Sequence, residues 1–222
     1  MKRSLSLIII SLVSLAIVGA PAANAKKEKA GSSKAVAAAK LGQIKSVAFG
    51  GLENKMENGM VSAEETIDGK VYHVGKTIVK ASPEQVFDVL TDYPNATKLF
   101  DNLKQTSVVA TSADENTSDV SFSLKGLANI WNFDYVLRMK ETFPSRIDFH
   151  RLSGAFKANQ GYWKIEPLDG SGKRTLVTYS KYVDGGMIPQ SMVNKQLKDA
   201  MPAVMANVKS NAEAKAIQVS LK

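Results

Sequence analysis

Two histidines and no cysteine make up the scarce reactive side chains of this 222-residue chain. Without thiols there is no disulfide framework, no thiolate metal ligand and no thiol nucleophile. His150 stands two residues after Asp148 in a β-branched, aromatic stretch. On a strand the two side chains would share a face and could form an acid–base pair. Ile147 and Phe149 would then point the other way, into an interior, which leaves Asp148 and His150 in solvent. His73 lies on another expected strand and reads as a surface or core histidine. Asp134 and Arg138 also share a face, opposite an aromatic one, as a surface cross-strand ion pair would. Tyr135, Tyr179 and Tyr182 are candidates to orient a ligand oxygen inside an apolar cavity. Asn95-Ala96-Thr97 and Asn116-Thr117-Ser118 match the glycosylation sequon, which matters only in a eukaryotic secretory host. The chain has no phosphate-binding glycine loop, no metal-ligand spacing and no nucleophile elbow. The residues therefore name no catalytic group, no metal ligand and no cofactor.

The ends of the chain carry their own signals. Lys2 and Arg3 precede an apolar run from Leu5 to Val18, followed by Ala23-Asn24-Ala25. That is the pattern of an export signal over residues 1–25, cleaved near Ala25. The run is short for a membrane-spanning helix, which needs about 20 residues. The expected location is outside the cytoplasm, periplasmic or secreted. Residues 26–60 read as a basic, flexible leader rich in Ala, Gly, Ser and Lys. Two readings of it are open: a solubilising spacer, or a tether in which Lys26, Lys27, Lys29 and Lys34 touch an anionic membrane.

The net charge of +8 suggests a polyanionic partner at first sight. Its distribution argues otherwise. The signal carries +2 and the stretch Lys26–Lys55 carries +5; the rest, from Met56 onward, has 20 basic and 19 acidic residues. A nearly neutral domain without a basic cluster is not expected to bind nucleic acid. The sequence sets no oligomeric state.

Residues 61–217 read as one domain. Gly69–Lys80 is strand-like. Ser82-Pro83-Glu84-Gln85 announces a short helix with a capping box and a proline at its first position. Asn95–Phe100 adds a second helical turn. About six strands follow: Lys104–Thr111, Val120–Leu124, Trp131–Thr142, Arg146–Leu152, Asn159–Pro167 and Lys173–Asp184. Trp131, Phe133, Tyr135, Leu137 and Met139 alternate with Asn132, Asp134, Arg138 and Lys140, which predicts one buried face. After Gly185-Gly186 the period becomes helical. Val193, Leu197, Met201, Val204, Met205 and Val208 predict a long helix, with a kink at Pro202.

The expected fold class is α+β: a curved antiparallel sheet wrapped around a long C-terminal helix, with two short helices after the first strand. The sheet cannot bury its concave face alone. Phe122, Trp131, Phe133, Tyr135, Leu137, Phe149 and Trp163 from the strands, with Met192, Leu197, Met201 and Met205 from the helix, are the candidate lining. Met187 adds a further methionine just before that helix. Such a stripe fits an ordinary packed core or an apolar pocket.

Ala81–Pro94 resembles the opening helix of the START/Bet v 1-like (SRPBCC) superfamily, within it the polyketide cyclase/dehydrase or coenzyme Q-binding group. Gly161–Ile165 with Arg174–Tyr179 resembles that group's paired late strands, and Pro189–Lys209 its C-terminal helix with an internal proline. The resemblance implies a helix-grip fold with a central hydrophobic cavity. Members bind or transfer lipids, quinones and polyketides, and some are cyclases. Taken with the export signal, which lies outside the family core, it makes an exported, non-catalytic carrier for a small hydrophobic ligand the first expectation. A cyclase or dehydratase acting on a polyketide-like substrate is the second; it needs a polar acid or base inside the cavity. An envelope or membrane-surface module using the basic leader is the third.

Overall fold

The structure, a computed structural model, describes residues 51–125 and 132–220. Residues 51–57 are helical (α1). Eight strands follow in one sheet: β1 Val61–Ile67, β2 Lys70–Val79, β3 Leu103–Ser112, β4 Thr117–Lys125, β5 Asn132–Thr142, β6 Arg146–Gly154, β7 Ala158–Pro167 and β8 Thr175–Asp184. Between β2 and β3 run the helix α2, Pro83–Leu90, and a 3-10 helix, Tyr93–Lys98. The long helix α3, Gln190–Ser220, closes the described chain. The strand order is β1-β2-β8-β7-β6-β5-β4-β3, all neighbours antiparallel. This is the helix-grip α+β arrangement expected from the sequence.

The short helix forms for the reason its sequence states. The Gln85 amide donates to Ser82 Oγ at 3.3 Å and the Ser82 amide to Gln85 Oε1 at 2.9 Å, with Pro83 at the first turn. Two orphan amides are thereby satisfied. Its apolar side, Val86, Phe87 and Leu90, joins the core. The sheet curves with the help of bulges: β3 shifts register against β4 twice, and β5 against β6 once, at Val136/Leu137.

α3 packs on β2 and β8 and touches α2. Met201, Val204, Met205, Val208 and Ala212 enter the core. At Gly75 of β2 a side chain would stand 2.9 Å from Met201 Cγ, so the glycine allows the helix to come close. Polar ties hold the helix down. Lys209 Nζ donates to the Ile78 carbonyl at 2.5 Å, and Lys215 pairs with Asp88 of α2 at 2.8 Å. Pro202 lies inside α3, which runs on through it as one element.

Two features depart from the sequence reading. The end of the expected flexible leader is structured: Arg174 at the start of β8 pairs with Glu53 at 2.6 Å and with Glu57. Thr77 Oγ1 lies 3.0 and 2.6 Å from the Met56 and Gly59 carbonyls, and Met56 is buried. α1 is held by ion pairs and a buried methionine, whose partners lie far along the chain. β1 was also missed. It is an edge strand of mostly exposed residues, Ser62, Ala63 and Glu64 among them, so it lacks the β-branched core signature of a central strand. Among the described residues no helix is long and apolar enough to cross a membrane.

Candidate ligand-binding site

The inward face of the sheet is built by strand parity. Register partners project to the same side, so the partners Trp163 and Tyr179 stack on neighbouring strands, with ring centroids 3.9 Å apart and planes within 9°. Phe122 and Tyr135 do the same at 5.4 Å and 16°. These pairs floor an inner chamber. Its roof is α2, the 3-10 helix and the turn after it, through Leu90, Tyr93, Ala96, Leu99 and Phe100. The free space is about 90 Å³. An outer chamber of about 330 Å³ adjoins it between α3 and residues 100–102; Phe100, Leu124, Tyr179 and Lys181 line both. The inner space alone is small for a ligand. Together the two fall within the lower part of the range of small-molecule pockets, about 300–1,000 Å³. A third hollow, of about 420 Å³, lies elsewhere along α3, lined by Glu64, His73, Lys198, Met201 and Pro202 among others.

One charged group enters the inner chamber. Among the described residues that line it, Lys181 alone carries a charge; the rest are aliphatic, aromatic or methionine. The side chain keeps some accessible surface, as a residue facing empty space would. Burial pushes its amine down to about 8. The hydroxyls of Tyr135 and Tyr179 are held above the ordinary tyrosine value, chiefly because the charged form would lose its water. For Tyr93 burial leads again, and Glu141, which accepts its hydroxyl at 2.7 Å, adds to the upward shift. All three tyrosines stay neutral across the physiological range.

The sequence-predicted residues separate into groups. Phe122, Tyr135, Leu137, Phe149 and Trp163 line the inner chamber. Leu197 and Met201 line the outer one. Met205 is buried in the core and borders neither chamber. Phe133 is half-buried and packs against Phe156 instead. Met192 in the first turn of α3 is 53% exposed, and Met187, ahead of the helix, is fully exposed. Trp131 lies outside the described residues. The cavity also differs in its walls: α2 and the 3-10 helix, not α3, cover the inner chamber. Lys181 was missed. Its signal was parity, since it continues the inward series Val177, Tyr179 along β8.

Apart from His73, which shares the sheet face of Lys181, the other polar candidates face away from the chambers. Asp148 is engaged by Arg146 at 2.6 and 2.7 Å, and His150 is exposed. Arg138 pairs with Asp119, its register partner on β4, at 2.7 and 2.8 Å, and not with Asp134. Tyr182 packs against Tyr72 with the rings tilted by 40°, outside both chambers. His73 is buried; its Nδ1 is 3.6 Å from Glu64 and its Nε2 has no partner among the described residues.

Solved structures share this architecture. A STAR-related lipid transfer protein from Xanthomonas axonopodis matches with a TM-score of 0.57 at 15% identity, covering 69% of this chain and 98% of that one. The Zhui aromatase/cyclase from Streptomyces sp. R1128 gives 0.55 at 15% identity, covering 69% and 94%. A START superfamily protein from Mycobacterium smegmatis gives 0.54 at 16% identity, covering 67% and 98%. At these identities the likeness establishes the fold. No curated protein matches the chain. Residues 79–209, more than half of the sequence and nearly all of the elements that wall the chambers, match the family described as polyketide cyclase / dehydrase and lipid transport. The chain belongs to that family.

Proposed function

We propose that the protein is a non-catalytic carrier for a small hydrophobic ligand, held in the two adjoining chambers between sheet and helices. The observation that carries this reading is the inner chamber itself: an apolar space floored by stacked aromatic pairs, into which, among the described residues, a single charged one intrudes. Burying ligand hydrocarbon there contributes about 25 cal/mol per Å². The described chambers hold no arrangement of nucleophile and base, and the one Asp–His pair of the sequence faces solvent. The family description, which includes lipid transport, agrees with this use. We further propose export after cleavage near Ala25, with Lys26, Lys27, Lys29 and Lys34 touching an anionic membrane from the leader.

Native mass spectrometry of the purified protein, followed by organic extraction, tests the carrier reading. A co-purified apolar molecule, released by the solvent, is the expected result. Unliganded protein that also fails to take up any added apolar compound would sink it.

A second reading has one observation in its favour. The cyclase or dehydratase alternative requires a titratable group in the cavity, and Lys181 is such a group. Turnover of a polyketide-like substrate that is lost in Lys181→Met would establish it in place of the carrier.

A further inference from the structure

Lys181 sits in a row of register partners that crosses the sheet. Glu64 opposes His73, His73 opposes Lys181, Lys181 opposes Gly161, and Gly161 opposes Phe149. All of them project to one face. On one side of Lys181 stands an imidazole. On the other is a glycine, where a side chain would meet Phe149 Cζ at 2.7 Å. Neither position supplies a carboxylate.

The acids nearby are already engaged. Glu64 pairs with Lys198 at 2.9 Å. Across the outer chamber Asp101 accepts from the Asn207 amide at 3.0 Å, and Asp199 pairs with Lys195 at 2.5 Å. Tyr179 on its own strand, with Tyr135 and Tyr93 on the inner walls, remains neutral. Among the described residues Lys181 makes no side-chain hydrogen bond and no ion pair. Desolvation is the cause of its lowered pKa, and no neighbouring charge contributes. Near neutral pH the amine is still mostly protonated, so the chamber carries a cation that has given up part of its water and has no partner among the described residues. Such a group is costly until an anion meets it.

We propose that Lys181 binds the anionic headgroup of the ligand, so that the cargo is a carboxylate-bearing amphiphile whose head lies where the two chambers meet and whose hydrocarbon body fills the inner one. This inference rests on the carrier reading. A charge-assisted hydrogen bond there is stronger than one in water, because the surrounding walls are apolar. A neutral ligand of the same shape would leave the amine orphaned.

The test is calorimetric titration of the full chain with dodecanoate and with dodecanol, near neutral pH and well above pH 8. The wild type is expected to prefer dodecanoate near neutrality and to lose that preference as the amine deprotonates. Lys181→Met should bind dodecanoate roughly tenfold more weakly or worse, with dodecanol binding retained. Lys181→Arg, which keeps the charge, should keep the preference. Equal binding of the two probes by the wild type, or a preference that survives in Lys181→Met, overturns the headgroup assignment and leaves the carrier reading standing. A wild type that binds neither probe overturns both. Should Lys181→Met fail to fold, the pH dependence of the wild type decides alone: a preference unchanged above pH 8 is contrary to the proposal.

Discussion

Lys181 owes its position to the two-residue period of β8. Val177, Tyr179 and Lys181 point inward together, and the lysine has nowhere else to go. Its cost is readable in stability. In the folded chain the amine releases its proton at about 8, in the unfolded chain near the ordinary value of 10.5. Between these values the unfolded state binds more protons, so wild-type stability rises with pH across that window. Below about pH 8 the penalty stands at full size, up to about 3 kcal/mol, less what chamber water returns. Lys181→Met should therefore be more stable than wild type at neutral pH, and the difference should shrink toward pH 10.5. Denaturant unfolding at the two pH values measures this; a difference independent of pH would contradict it. The inward residues Phe122, Tyr135, Leu137, Phe149 and Trp163 were legible in the sequence as alternating apolar positions. Lys181 was not, because a charged residue in such a series reads as belonging to the wet face.

At the scale of elements, the chamber depends on close approach between strands. At Gly161 a side chain would stand 2.0 Å from the Ser180 carbonyl oxygen and 2.7 Å from Phe149 Cζ. Gly161→Ala should cost about 1–3 kcal/mol, as overpacking does, and push the Phe149 ring toward the chamber. A lowered urea midpoint with unchanged slope is the expected signature; an unchanged midpoint would show that β7 and β8 can separate freely there. The strands β2 to β8 and the helices α2 and α3 were legible because each has a clear period or a cap. α1 and β1 were not. Their stability comes from Arg174 and from pairing with β2, partners far away in sequence. The cover of the inner chamber was misjudged for a related reason. Length suggested α3, whereas the crossover between β2 and β3 brings α2 and the 3-10 helix over that end of the sheet.

For the whole molecule, the charge of +8 sits mainly ahead of the domain. α1 belongs to the folded body, so a clean removal of the leader stops before it. Deleting residues 26–45 should abolish salt-sensitive binding to anionic vesicles and leave the unfolding midpoint of the domain unchanged. Vesicle binding that persists without those residues would remove the tether from the account.

The central claim is that the inner chamber receives hydrocarbon. Trp163 lines it, stacked on Tyr179, and the other tryptophan, Trp131, can be replaced by phenylalanine to leave one reporter. Titration of Trp131→Phe protein with dodecanoate, followed by tryptophan emission, is the most direct measurement. The account predicts a saturable shift of Trp163 emission, abolished when Leu137→Phe, which adds no second indole, fills the chamber. An emission spectrum that stays constant up to the solubility limit of the probe would contradict it.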